Sequence, residues 1–148
     1  MAAEYEGLVA NQTFETVIVP EDRKVVESKS VYRWKVNSEG EVVRAKARLV
    51  AKGFSQVPGV DFDETFSPCP QSPSVRLVLG IAVQHNIDLF HFDAQHAFIQ
   101  SDLSEEVYMR LPAGCGKSSG TTVTLHRSLY GLKQAPRAWH SLLVSTLQ

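Results

Sequence analysis

The stretch VYRWKVNSEGEVVRAKARLVAKGF, residues 31–54, constrains the fold more than any other part of the chain. VYRWKV alternates in polarity, NSEG supplies a turn, and EVVRAKARLVAKGF resumes the strand pattern, so the segment predicts a β-hairpin. Side chains two residues apart on a strand share a face, which puts Arg44, Lys46, Arg48 and Lys52 on one side. With a four-residue turn at NSEG, Arg33 falls opposite Arg44 and Lys35 lies diagonal to it. Like charges paired across a sheet repel, and the nearest acids, Glu39 and Glu41, belong to the turn or to the other parity. Two explanations stand level. Either a bound polyanion relieves the repulsion, or the strand is a solvated edge kept basic against aggregation.

The other elements follow from local signals. Residues 2–11 suit a short helix with Tyr5, Leu8 and Val9 on one side and Asn11 as its end. Phe14 to Val19 reads as a strand stopped by Pro20. After the Pro- and Asp-rich loop VPGVDFDETFSPCPQSP, Ser72 is placed to cap a helix and Pro73 to open it. Val75, Val78, Leu79, Ala82 and Val83 form that helix's apolar face, and Asn86 is suited to a left-handed end. Residues 89–93 then read as a strand, followed by a bend and the short strand EEVYMRL. AGCGKSSGT, residues 113–121, reads as a surface loop, TVTLH as a strand, and Gly131 as a turn. Pro136 opens a last helix bearing Trp139, Leu142, Leu143 and Thr146. Both tryptophans are expected in the core.

At 148 residues, with 43% hydrophobic and 21% charged, the chain is expected to form one globular domain. A fold of this size buries about 68–70% of the unfolded surface. The net charge of −1 gives no global pull on nucleic acid, so such binding requires local clustering of cations. Cys69 and Cys115 lack metal-ligand spacing and read as free thiols, with a single disulfide as the alternative. No signal peptide and no apolar run of about 20 residues is visible, which makes an intracellular, soluble protein the expectation.

Few residues offer chemistry. Gly116-Lys117-Ser118 matches the end of a phosphate-binding loop, but the first glycine of that motif would fall at Leu111, so the match fails. GKSSG lacks the strand and helix that a nucleophile elbow requires. The five histidines show no metal-binding spacing. Asp93, in FHFDAQHAFIQ, sits among aromatic residues. As a strand-end acid it either hydrogen-bonds a turn or serves as an oxygen ligand for a hard divalent cation. Magnesium sites use one or two carboxylates plus substrate phosphates, so Asp93 would need further ligands.

RAKARLVAKGFSQ, GVDFDETFSP, SVRLVLGIA, FHFDAQHAFIQSDLSEEVYMRLPAG and LYGLKQAPRAW occur in the order and spacing of one family. Across nearly its whole length the chain resembles the reverse transcriptase domain of copia-type retrotransposons. The resemblance implies an α+β, right-hand polymerase architecture of fingers and partial palm, truncated before the YxDD strand hairpin. Residues 1–72 and 103–135 correspond to fingers, and 73–102 and 136–148 to palm.

The implied activity is RNA-directed DNA polymerisation: magnesium-dependent transfer of deoxynucleotides to a primer on an RNA or DNA template. The implied partners are template-primer and deoxynucleoside triphosphates. Asp93 matches the family's first catalytic, metal-binding aspartate, and the main-chain carbonyl of Ala94 would lie beside the metals. Lys46 and Arg48 match the residues that meet the triphosphate. Phe98 matches the aromatic that disfavours a ribose 2′-hydroxyl, and Tyr130, Gly131 and Gln134 match the turn against the nascent base pair. Arg33, Lys35, Arg44 and Lys52 extend the basic surface as nucleic-acid contacts.

The chain also departs from the pattern. Gln95 stands where the family has lysine, Gln100-Ser101 where it has Asn-Gly, Phe92 where it has an aliphatic residue, and Ala113-Gly114-Cys115 where it has Pro-Gly-Phe. No Asp-Asp pair occurs in the sequence. The expectation is that this chain alone does not polymerise DNA. The alternatives are a non-catalytic nucleic-acid-binding module and a degenerate transposon remnant.

Overall fold

The computed structural model describes residues 1–148 and is mixed α and β. The strands are β1 Phe14–Thr16, β2 Val25–Val36, β3 Val42–Ala51, β4 Asp102–Arg110 and β5 Thr122–Arg127. The helices are α1 Ala2–Ala10, α2 Ser72–Gln84 and α3 Ala135–Leu147. The strands make one curled sheet in the order β1-β5-β4-β2-β3. Only the β2–β4 pairing is parallel. No helix is long and apolar enough to cross a membrane.

The long strand β2 joins two regions of different character. Val25–Glu27 pair with Tyr108–Arg110 of β4, while Ser28 onward pairs with β3. Around this handover the alternate residues Val26 and Ser28 are buried, Val26 fully inaccessible, while Glu27 and Lys29 face solvent. From Val31 onward every β2 residue is exposed, as are Val42–Ala45 of β3. The distal hairpin is therefore a two-stranded ribbon, and the core lies at its base. Val26, Leu49, Ala51, Val107, Met109, Val123 and Leu125 of the sheet pack there with Leu8 of α1 and Leu129, Leu132 and Ala135 from the approach to α3.

The hairpin forms as expected, but in a different register. The connection runs from Asn37 to Glu41, Val36 faces Val42, and the pairing shifts after Lys35. Arg33 consequently faces Lys46, not Arg44, and Lys35 faces Arg44 directly. The Asn37 side chain draws Glu41 into the loop, since its Oδ1 accepts from the Glu39 and Glu41 amides at 3.1 and 2.9 Å. The displacement is even in residues, so each side chain stays on its expected face.

Other boundaries differ for local reasons. β1 stops at Thr16 because its partner β5 begins at Thr122, which leaves Ile18 98% exposed. Gln71, not Ser72, occupies the N-cap of α2, and no side chain bonds that end. Pro73 lies in its first turn and Asn86 is left-handed at φ 52°, both as expected.

The larger departures concern burial. Of the apolar face expected on α2, only Ala82 is buried; Val75, Val78, Leu79 and Val83 are exposed. Residues 87–94 form no strand, and Phe90 and Phe92 are 90% and 72% exposed. A strand is stable only with a partner to receive its backbone hydrogen bonds, and no other segment of the chain pairs here. Trp34 is exposed on the ribbon rather than in the core, while Trp139 is half-buried.

Cys69 and Cys115 are free thiols, as expected. Cys69 is exposed, whereas Cys115 reaches into the core from a loop otherwise at the surface. Burial pushes the Cys115 thiol pKa up, because a thiolate would lose its hydration.

Candidate functional site

A cleft of about 570 Å³ opens between β3 and the segment 93–96. Its β3 wall carries Arg44, Lys46 and Arg48, separated by Ala45 and Ala47. Alternation aims the three cations from one strand face, and the small alanines between them add no bulk. The opposite wall carries Asp93, Ala94, Gln95 and His96, with Tyr130 also lining the cleft. Residues more than forty positions apart in sequence thus line one cleft, Asp93 together with Arg44, Lys46 and Arg48.

The basic row lacks internal compensation. The chain's ion pairs are Arg23–Glu106, Arg110–Glu27, His126–Glu15, Arg127–Asp102 and Arg137–Glu64, all away from the cleft. Across the hairpin, Arg33 opposes Lys46 and Lys35 opposes Arg44, so two like-charge pairs face each other directly. Such pairs repel across a sheet, and with Arg33, Lys35 and Arg44 exposed to solvent the register is compatible with both the polyanion and the solvated-edge explanations.

Arg48 is also held by an aromatic stack. Its guanidinium carbon lies 5.2 Å from the centre of the Tyr130 ring, and Tyr130 meets Phe98 edge to face at 4.9 Å. The electron-rich face of Tyr130 attracts the guanidinium, and the T-shaped contact uses the complementary charge distributions of the two rings. Phe98 is half-buried behind Tyr130, and β3, the short turn Ala97–Gln100 and the approach to α3 are joined through these three side chains.

Gly131 and Gln134 lie beneath the cleft. At Gly131, φ is +91° and an added Cβ would sit 2.1 Å from the Ala51 carbonyl oxygen, so both conformation and space require glycine. The Ala51 amide donates to the Tyr130 carbonyl at 2.8 Å. Gln134 is 2% exposed and both ends of its amide are engaged inside the fold. It supports the cleft rather than lining it.

The remaining expected contacts are more peripheral. Arg33 and Lys35 are exposed on the ribbon, while Lys52 follows the end of β3 and its amide donates to the Glu27 carbonyl at 2.7 Å.

The cleft includes residues that the sequence reading missed. Glu4 of α1 lines it because α1 packs beside β3, a tertiary relation with no local signature. His96 adopts a left-handed conformation at φ 53°, which turns the chain sharply after Asp93. Gln56, the last residue of RAKARLVAKGFSQ and given no role by that motif, lies outside the cleft, buried under the Tyr130 turn.

The donor set fits an oxygen-preferring divalent cation only in part. Asp93 and Glu4 are the carboxylates of the cleft, and no group of three metal-ligating side chains exists. One carboxylate and a main-chain carbonyl suit a magnesium ion that keeps waters and takes its other ligands from phosphate oxygens. They do not form a self-sufficient cage.

The site is thus a cleft on a mixed α+β frame, lined by Arg44, Lys46 and Arg48 together with Asp93 and Glu4. The chain belongs to the reverse transcriptase (RNA-dependent DNA polymerase) family, whose sequence profile matches residues 11–148, and within it to the copia-type retrotransposon branch. It is 41% identical over 143 residues to the retrovirus-related Pol polyprotein from transposon TNT 1-94 of Nicotiana tabacum. It is 43% identical over 143 residues to that from transposon RE1 of Arabidopsis thaliana. Both alignments cover 95% of this chain but only 11% and 10% of those polyproteins. The Ty1-H Gag-Pol polyprotein of Saccharomyces cerevisiae is 34% identical over 107 residues, covering 69% of this chain and 6% of the relative. No solved structure matches the chain.

Proposed function

We propose that this chain is the fingers and part of the palm of an RNA-directed DNA polymerase, and that its cleft receives the triphosphate of an incoming deoxynucleotide. Residues 1–72 and 103–135 act as fingers, and 73–102 and 136–148 as palm, in a right-hand arrangement. The observation that carries this reading is the convergence of Arg44, Lys46 and Arg48 with Asp93 on one cleft.

Phosphoryl transfer asks a protein mainly for positioning and for neutralisation of charge on the phosphate oxygens. Lys46 and Arg48 supply the cations, with Arg48 oriented by the Tyr130 ring. Asp93 and the Ala94 carbonyl supply oxygen donors to magnesium. When bound in the complete domain, magnesium favours the attacking 3′-oxygen and stabilises charge on the triphosphate. Phe98, behind Tyr130, closes the side where the sugar lies. Arg33, Lys35 and Lys52, with Arg44, extend the positive surface toward template and primer.

Asp93 is one of the three carboxylates that the complete domain uses, and the sequence contains no aspartate pair. The purified chain is therefore expected to bind nucleic acid without extending a primer. Single-strand affinity should fall with salt by about 0.7 log units per phosphate contact for each tenfold rise. Replacing Arg44, Lys46 and Arg48 together with alanine should flatten that slope by about 2. No binding at low salt would remove the nucleic-acid role and favour the degenerate remnant. Magnesium-dependent primer extension, abolished by Asp93→Asn, would show that the chain is a polymerase by itself.

A further inference from the structure

We propose that Gln56 is a positioning residue for the cleft: its buried side-chain amide clasps the turn that presents Tyr130, and through that ring sets the places of Arg48 and Phe98. Gln56 is 4% exposed. Its Oε1 accepts from the Lys133 amide at 2.9 Å, and its Nε2 donates to Oε1 of Gln134 at 3.1 Å. Gln134 Nε2 continues the chain by donating to the Asp61 carbonyl at 3.0 Å. The Asp61 carboxylate in turn accepts from the Val57 amide at 2.7 Å, next to Gln56 in sequence. This network fastens the segment leaving β3 to the entry of α3.

Backbone contacts complete the fastening. An added Cβ at Gly53 would sit 2.0 Å from the Gly131 carbonyl oxygen, so the two segments lie in direct backbone contact. The Ala51 amide holds the Tyr130 carbonyl on one side of the turn, and Gln56 holds Lys133 and Gln134 on the other. Tyr130 lies between these supports. Its ring contacts both Arg48 and Phe98, which come from different elements, so a displaced turn would disturb both contacts.

Gln56 lines no part of the cleft, so its influence is transmitted through the turn. Buried amides depend on having both ends paired, and removing Gln56 leaves the Lys133 amide and Gln134 Oε1 without partners. The consequence for nucleotide affinity rests on the function proposed above; the consequence for the Tyr130 ring does not.

The test uses the isotopically labelled chain with Gln56→Leu and Gln56→Glu variants. Its readouts are magnetic-resonance contacts between the Tyr130 and Phe98 rings, hydrogen exchange at the Lys133 amide, and affinity for magnesium–dATP. Gln56→Leu should weaken the ring contact, speed Lys133 exchange about tenfold and lower affinity about tenfold, with a cooperative melt retained. Gln56→Glu adds a pH readout. Its neutral carboxyl keeps one donor and one acceptor, like the amide, whereas its ionised form only accepts. Burial favours the neutral form, so the ring contact should be intact at low pH and lost as pH rises through the raised pKa.

If Gln56→Leu fails to fold, the pH series on Gln56→Glu decides the matter within a single sample. An unchanged ring contact and unchanged Lys133 protection in the variants would overturn the proposal. If the unaltered chain binds no magnesium–dATP, the nucleotide reading falls, while the ring contact and amide exchange still decide the role of Gln56.

Discussion

Gly131→Ala is expected to destabilise the chain by about 3–5 kcal/mol, enough to unfold much of the population of a domain with ordinary stability. Three effects coincide at this position. An L-residue at φ +91° carries backbone strain of about 1–3 kcal/mol. The new methyl group would meet the Ala51 carbonyl at 2.1 Å and a Val50 methyl at 2.8 Å. The Ala51 oxygen belongs to a core strand and cannot yield as a side-chain tip would. Separating the segments also weakens the bond from the Ala51 amide to the Tyr130 carbonyl, worth about 1 kcal/mol. Urea denaturation read by far-ultraviolet circular dichroism measures the loss. A midpoint unchanged from the parent chain would mean that β3 and the Tyr130 turn are not in backbone contact. Gly40→Ala serves as a comparison: its φ is +83°, but nothing lies within 4 Å, so only the strain remains.

The second large effect concerns ligand affinity. Replacing Lys46 and Arg48 together with alanine is expected to weaken magnesium–dATP binding by at least about 100-fold. Each charge-assisted hydrogen bond to phosphate contributes about 1.5–3 kcal/mol, so loss of both side chains supports this estimate even with partial compensation by Arg44. Arg48→Lys separates charge from shape. Lysine retains the charge but loses the planar guanidinium over Tyr130, so an intermediate loss of about tenfold is expected. Equilibrium titration with dATP at fixed magnesium, beside a thermal melt of each variant, checks both. Both side chains are at least partly solvent-accessible, so the melts should move little. Parent-like affinity in the double variant would place the triphosphate elsewhere.

What was legible in the sequence tracks the range of the forces involved. Alternation and turn chemistry act over a few residues, so the hairpin and its basic face were readable. Its register depended on one Asn37 side chain capturing Glu41, which a residue count across NSEG does not reveal. The helical pattern of α2 is local, but whether an apolar face finds a partner is not, and that face is largely exposed. The strand expected at 89–93 failed for the same reason, since its aromatic residues signal a wish for burial without supplying a neighbour. For the candidate site, motif resemblance named Lys46, Arg48, Asp93 and Tyr130, and the fold brings them to one cleft. It named Gln134 as well, yet the structure uses that side chain underneath. Gln56 closes the family stretch RAKARLVAKGFSQ, but no local signal marks its role, and like Glu4 it reaches its place through tertiary contacts.

The exposed ribbon of β2 and β3 behaves mechanically as a cantilever fixed at one end. Leu49 is clamped in the core, whereas Arg44, five residues away, stands about 17 Å farther out at the usual strand rise of about 3.4 Å per residue. Bending displacement grows along such a beam, so the three cations differ in compliance although they share a face. Arg48, near the root and braced on Tyr130, is the stiff end of the row. Arg44, at the unbraced end, is the compliant one. Under the triphosphate role proposed above, such graded stiffness would let the outer charge capture a phosphate over a wide range of approach while the inner one fixes its final position.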